Sequence, residues 1–282
     1  MKRNVIRRKP VEPKSGADDA FDSRDGGVQS VDRALSIIEV LAEDDEGYRL
    51  SDLAVRTGLS TSTAHRLLAT LEKRRFVQFD RTESKWHVGA QSFAVGATFT
   101  RRRNFTAQAM PYLRKLRDLT RETANLAVVD DESIIVLTRM ESREIMRSLT
   151  KVGGRVAMVA SGVGKAVLAT YSDEDVNAII RHHGMPRLTE KSIVRPSDLF
   201  KELAKVRRQG FAIDDEEACM GLRCIAAVVY NDCSEPLAAI SVSGMTSRIT
   251  DGRLAALGET VREVAAELTV ALGGVMPAAK SA

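Results

Sequence analysis

The stretch YRLSDLAVRTGLSTSTAHRLLATLEKRRFVQFDRTESKWHVG, residues 48–89, constrains the fold more than any other part of the chain. Ser51 carries a hydroxyl that can cap a helix presenting Leu53 and Ala54 inward, and Gly58 tolerates the positive φ at which such a helix stops. Ser60 then starts a second helix. Ala64, Leu67, Leu68 and Leu71 recur in it at three- and four-residue spacing and face a core. Ser60 and Thr61 therefore stand at its front, and Ser62, Thr63, His65 and Arg66 point outward.

An earlier helix over residues 31–41 supplies Leu35, Ile38, Val40 and Leu41 as the third wall of a small core. After the second helix, Phe76, Val77 and Phe79 alternate with polar residues, residues 80–83 turn, and Lys85, Trp86, His87 and Val88 return as a second strand. Helix, helix, turn, helix and two-stranded wing is the order of a winged helix-turn-helix. Small hydroxyls and a guanidinium at the front of such a helix suit a major groove, where Arg66 can take guanine O6 and N7 and the serines and threonines can reach bases or phosphates. Arg81 at the wing tip, with Lys85 behind it, can meet phosphate or a minor groove. A solvated helical hairpin, with hydroxyls that serve only as caps, accounts for the serines alone; it does not account for the wing.

The 282 residues suffice for two domains, with 44% hydrophobic content to fill cores and 28% charged content to cover them. No apolar run approaches the roughly 18 residues that cross a bilayer, and MKRNVIRRKP lacks the apolar region of a secretory signal, so a cytoplasmic protein with no membrane partner is expected. A net charge of +4 fits a nucleic-acid partner without requiring one. Residues 1–27, with six basic residues before four aspartates and little apolar surface, read as a disordered tail. Three cysteines, Cys219, Cys224 and Cys233, are an odd number in a chain without an export signal and read as reduced thiols.

Beyond the wing the helical pattern runs on as one long helix or two, broken near Asn104. Residues 90–104 form the expected linker helix. Its strip of Phe93, Ala94, Ala97 and Thr98 needs a partner, and Arg101, Arg102 and Arg103 complement its C-terminal dipole or meet phosphate. From Asn125 the texture changes: NLAVVD, SIIVLTRME, IMRSLT, FAIDD, CIAAVVYND and PLAAISVSG read as strands, with SGVGKAVLATY, DEDVNAIIRHHG and LFKELAKVRRQG as helices and a long amphipathic helix to close. The second domain, residues 105–274, is thus α+β with its sheet covered on at least one side, followed by a flexible tail over 275–282.

Ser241 and Ser243 share one face of a strand otherwise made of Ala, Ile and Val, where two hydroxyls are costly unless something hydrogen-bonds them. Gly162 and Val163 sit at a helix start, where backbone amides favour a carboxylate. Cys224 can offer a thiol, and Asp214 can accept from a hydroxyl or hydrated aldehyde. Each has a plainer reading: a Cys packs as a small hydrophobe, a strand Ser bonds its backbone, and 214–217 is a solvated turn. Convergence of all of them favours a small oxyanion.

The segments VQSVDRALSIIEVLAE, STSTAHRLLATLEKRRFV, KWHVGAQSF, ASGVGKAVLA, GFAIDDEEACMGLRCIAAVVY and AAISVSG, in that order from about residue 27 to 274, resemble the IclR-type transcriptional regulators. The resemblance implies an N-terminal winged helix-turn-helix, a linker helix that supports dimerisation and a dimer of dimers, and a C-terminal GAF-like effector-binding domain. In the branch that answers to glyoxylate, which includes the allantoin-pathway repressor and the β-hydroxyaspartate-pathway regulator, the matching pocket positions are Gly162, Val163, Asp214, Leu222, Cys224, Ser241 and Ser243. ASGVGKA stands where many relatives carry the bulkier HATALGKA. Val163 is larger than the alanine common in that branch, which keeps pyruvate or another small keto acid in play.

Catalysis is the main rival. SGVGK lacks the first glycine and the hydroxyl of a phosphate loop, because Val159 and Ala166 occupy those places. Ser161 and Lys165 are four apart and not three, and Cys224 as a nucleophile has no paired histidine, since His182 and His183 end another helix. A metal site drawing in Cys219, Cys224, Cys233 and His182 lacks the close cysteine pair usual for zinc. Neither an enzyme nor a cofactor is expected.

Overall fold

The computed structural model describes residues 27–102, 105–130, 133–142 and 151–277. Residues 1–26, the IMRSLT strand, Arg103, Asn104 and residues 278–282 lie outside the described residues. The chain divides into two compact units, 1–99 and 100–282.

In the first unit α1 (Gln29–Glu43), α2 (Leu50–Arg56) and α3 (Thr61–Lys73) precede the hairpin of β1 (Val77–Asp80) and β2 (Lys85–Val88), and α4 (Ala90–Arg102) follows. Ile37, Leu41, Leu53, Leu68, Val77 and Trp86 form the core. Two sequence expectations need correction here. Leu35 is 53% exposed, and Ile37 takes its place, because Ile37 and Leu41 lie one turn apart on the face that meets α3 while Ile38 and Val40 flank it half-buried. Ser51 caps nothing: α2 begins one residue earlier, at Leu50, so the Ser51 hydroxyl already lies in the first turn and donates to Asp52 Oδ1 at 3.3 Å. Gly58 takes φ +64° after α2, and Ser60 caps α3 by accepting from the Thr63 amide at 3.2 Å. In the wing turn, Asp80 Oδ1 accepts from the amides of Thr82 and Glu83, and Phe79 stacks on the buried Trp86 with ring centroids 4.9 Å apart.

The second unit is an antiparallel six-stranded sheet in the order β5-β4-β3-β8-β7-β6. Its strands are β3 (Thr123–Asp130), β4 (Ser133–Met140), β5 (Arg155–Val156), β6 (Ala212–Asp215), β7 (Leu222–Tyr230) and β8 (Pro236–Met245). Leu126, Ile225, Ala227, Ile240 and Val242 point to one face and pack on α5 (Phe105–Thr120) and α9 (Asp251–Ala271). Ala127, Ala226, Val228 and Ala239 point to the other, against α6 (Gly162–Leu168), α7 (Asp173–His183) and α8 (Pro196–Gln209). Both faces are covered, so the strands read as nearly continuous apolar runs, and the polar residues among them stand out. α8 starts before the expected LFKELAKVRRQG because Pro196 occupies its first position, where a missing N–H costs nothing. The expected tail is anchored where it begins, since the Val275 amide donates to the Asn231 carbonyl at 2.9 Å. The architecture is mixed α+β, and among the described residues no helix is long and apolar enough to cross a membrane.

Candidate functional site

On α3, Thr61, Ser62, His65 and Arg66 are exposed, while Thr63 is half-buried. The Ser60 hydroxyl lies 3.1 Å from that of Ser62 and 2.9 Å from that of Thr63, so the cap itself engages the hydroxyls at the helix front. Thr61, His65 and Arg66 form no part of that network. Arg81 is exposed in the wing turn. Lys85 is half-buried, and its Nζ pairs with Glu83 at 3.1 Å, an ion pair it must give up to meet a phosphate. Along α4 Phe93, Ala94 and Thr98 of the expected strip are exposed and Ala97 is half-buried, and the exposed Val95 and Phe99 make the apolar surface broader than that strip.

A second site lies inside the other unit, between α6 and the sheet face that carries Ala226 and Ala239. A cavity of about 100 Å³ opens there, lined by Val163, Asp214, Leu222, Cys224, Ser241 and Ser243. These are six of the seven positions picked from the sequence. The seventh, Gly162, packs behind the thiol: a Cβ there would stand 3.0 Å from the Cys224 carbonyl oxygen and 3.3 Å from its Sγ. Strand pairing explains the convergence. Asp214 faces Cys224 across β6 and β7, and Cys224 faces Ser243 across β7 and β8, so three chemically active side chains form one row; Ser241 faces Ala226 one step along.

Asn125, overlooked in the sequence, completes the polar floor. It faces Ser241 across β3 and β8, and its Nδ2 donates to the Ser241 and Ser243 hydroxyls at 3.3 Å each. A lone amide in an apolar strand carries the same desolvation cost as the two serines, and that signal could have found it. Ser161 also lines the cavity and is the cap of α6: its hydroxyl accepts from the Gly164 amide at 3.0 Å and donates to the Ala157 carbonyl at 2.7 Å. α6 is only 7 residues long, so it contributes local amides and little macrodipole.

Residues 214–217 are no solvated turn, since Asp214 and Glu217 are both buried. Asp214 Oδ1 accepts from the Glu217 amide at 2.7 Å and the Ala218 amide at 3.3 Å. Burial pushes its carboxyl up to about 6, with Glu217 adding to the rise and the two amides and Lys165 opposing it. Burial likewise pushes the Cys224 thiol up to about 11, assisted by the Asp214 charge and opposed by hydrogen bonds from Ser243 and Ser241. Lys165, wholly buried on α6, donates to the Ile213 carbonyl at 2.6 Å and pairs with Glu217. Glu217 Oε2 has no hydrogen-bond partner among the described residues.

Residues 30–81 match the model of the IclR helix-turn-helix domain, and residues 97–270 match that of the bacterial transcriptional regulator IclR C-terminal region. The acetate operon repressor of Salmonella typhimurium is 40% identical over 269 residues, covering 94% of this chain and 98% of that protein. The HTH-type transcriptional regulator BhcR of Paracoccus denitrificans is 37% identical over 262 residues, covering 93% and 94%. An IclR transcriptional regulator from Alicyclobacillus acidocaldarius shares the fold with a TM-score of 0.73 at 24% identity, over 88% of this chain and 100% of that one.

Proposed function

The chain belongs to the IclR family of bacterial transcriptional regulators, DNA-binding proteins with a C-terminal effector-binding domain and not enzymes, and on that premise we propose that its effector is a small aldehyde or keto acid, foremost glyoxylate. Identity over the whole chain does not choose the effector, being 40% to the acetate operon repressor and 37% to BhcR. The pocket does. Its volume of about 100 Å³ is well under the roughly 300–1,000 Å³ of sites that hold drug-sized molecules, and selects a ligand of a few heavy atoms.

The observation that carries the reading is the floor of Asn125, Ser241 and Ser243, three neutral hydrogen-bonding groups gathered beside Asp214 and Cys224 on one sheet face. They suit a carboxylate because they offer hydrogen bonds and carry no charge themselves. The nearby cations are already paired, Lys165 with Glu217 and Arg223 with Asp215 and Asp251. Asp214 and Cys224 then address the carbonyl or hydrated end. Pyruvate is the second reading, and Val163, which lines the cavity, is the residue whose size bears on the choice between them.

In this reading Thr61, Ser62, His65 and Arg66 meet the operator, with Ser60 and Thr63 ordering the helix front and Arg81 and Lys85 meeting backbone. α4 supplies a dimer contact, and two dimers form the working assembly. Calorimetry of the full-length protein with glyoxylate, pyruvate and glycolate, paired with operator-shift assays, tests the effector. Glyoxylate is expected to release heat and change operator affinity by about 1 to 3 kcal/mol, and Ser241→Ala with Ser243→Ala to abolish that response while operator binding persists. No heat from any of the three acids with folded protein sinks the assignment.

A further inference from the structure

We propose that the pocket holds an aldehyde acid covalently and reversibly, as a hemithioacetal on Cys224 Sγ, with Asp214 relaying the thiol proton. The proposal rests on the small aldehyde-acid effector argued above. It goes further in assigning a bond.

The geometry is that of an assisted nucleophile. Asp214, Cys224 and Ser243 are successive cross-strand partners on β6, β7 and β8, and opposed side chains of this kind stand about 4.5–5.5 Å apart at Cβ. All three line the same small cavity, with Ser241 beside them. The thiol is thus held between a carboxylate on one strand and hydroxyls on the next. Burial keeps it protonated, up to about 11, so it needs a base at the moment of attack. Asp214, pushed up to about 6 by its own burial, is a base matched to proton transfer near neutral pH.

The step balances within the site. The aldehyde enters after its hydrate loses water; the Sγ–C bond forms as the C=O π bond breaks; the Sγ proton passes to Asp214 and from it to the former carbonyl oxygen. Nothing is oxidised or reduced, and reversal releases the acid intact. Ser241 and Ser243 keep the carboxylate, while Asp214, once it holds the thiol proton, donates to the developing oxyanion. Glycolate and oxalate are of similar size and carry the same carboxylate, but have no aldehyde to attack. The bond therefore supplies a discrimination that hydrogen bonds in so small a cavity do not.

The test is a carbon-13 spectrum of the full-length protein with glyoxylate labelled at the aldehyde carbon. A bound resonance upfield of the gem-diol is expected, because sulfur withdraws less than the oxygen it replaces. It should vanish in Cys224→Ser and Cys224→Ala and persist in Cys219→Ser, whose thiol also borders the cavity. Glyoxylate affinity should fall about tenfold or more in Cys224→Ser and glycolate affinity about threefold or less, in protein that still shifts operator DNA without effector. A bound resonance at the gem-diol or free-aldehyde position overturns the covalent assignment and leaves the effector reading standing; so does a signal lost in Cys219→Ser and retained in Cys224→Ser. Failure of the wild-type protein to bind glyoxylate overturns both.

Discussion

Lys165 and Glu217 form an ion pair whose side chains are 0% and 8% exposed, and the Glu217 amide donates to Asp214 in the cavity wall. Such a pair is stable only as a pair. Lys165→Met strands the Glu217 carboxylate and the Ile213 carbonyl, and is expected to cost about 3–5 kcal/mol in urea unfolding. Adding Glu217→Gln should recover a large part of that loss. A double variant as unstable as the single one would show that packing around the Lys165 stem, and not the charge, is what matters.

Arg66 and Arg81 are both exposed but are expected to act differently. Arg66→Ala should weaken operator binding by about 1–3 kcal/mol and relax specificity at one base pair, as loss of a guanine contact does. Arg81→Ala should weaken all sequences alike and lower the slope of log affinity against log salt by about one. Titrations of operator and scrambled DNA at several salt concentrations separate the two roles.

The two glycines of α6 predict opposite outcomes for the same substitution. A Cβ on Gly164 would stand 2.0 Å from the Met158 carbonyl oxygen, a backbone atom that cannot step aside, so Gly164→Ala should lower the melting temperature sharply. A Cβ on Gly162 would stand 3.0 and 3.3 Å from Cys224 oxygen and sulfur, where a shift of a few tenths of an ångström is enough. Gly162→Ala should melt near wild type yet bind glyoxylate more weakly, because the yielding group belongs to the pocket. Equal melting curves for the two variants would contradict this.

Effector affinity should rise as pH falls through about 6. Asp214 has its folded carboxyl raised from 3.8 to about 6 by burial, with Glu217 reinforcing and Lys165 opposing, and an incoming anion favours its protonated form further. Binding then takes up a proton above that pH. The same shift means that Asp214 lowers protein stability as pH climbs from about 4 to about 6, since the folded state holds the proton more tightly than the unfolded one. Calorimetry in buffers of different ionisation enthalpy measures the uptake, and Asp214→Asn should flatten it.

The elements carried by strong periodicity were legible in the sequence: Ala64 and Leu68 in α3, the return of Trp86 in the wing, and the alternation that put Ser241 and Ser243 on one face. What failed was local and had physical causes. Ser51 looked like a cap because a hydroxyl before an apolar run is the usual cap, but Leu50 entered the helix first. Leu35 and Ile37 compete for one face, and only the docking of α1 on α3 decides between them. The pocket's polar positions stood out against apolar strands, and Asn125 did too but was passed over; only its bond to two serines more than a hundred residues away was hidden, since it exists only through strand pairing. The buried state of Asp214 and Glu217 was equally hidden, because DDEE in a sequence reads as a surface turn.

The amide of Asn125 spans both serine hydroxyls. The amide and the two hydroxyls of the floor therefore hydrogen-bond one another. A molecule of the right size but without acceptors would displace Asn125 from Ser241 and Ser243 and give nothing back, leaving two hydroxyls and an amide stranded in a dry interior. Exclusion of apolar guests is in this sense a matter of replacement: the protein's own side chains set the standard, and a guest without oxygen atoms in the right places falls short of it.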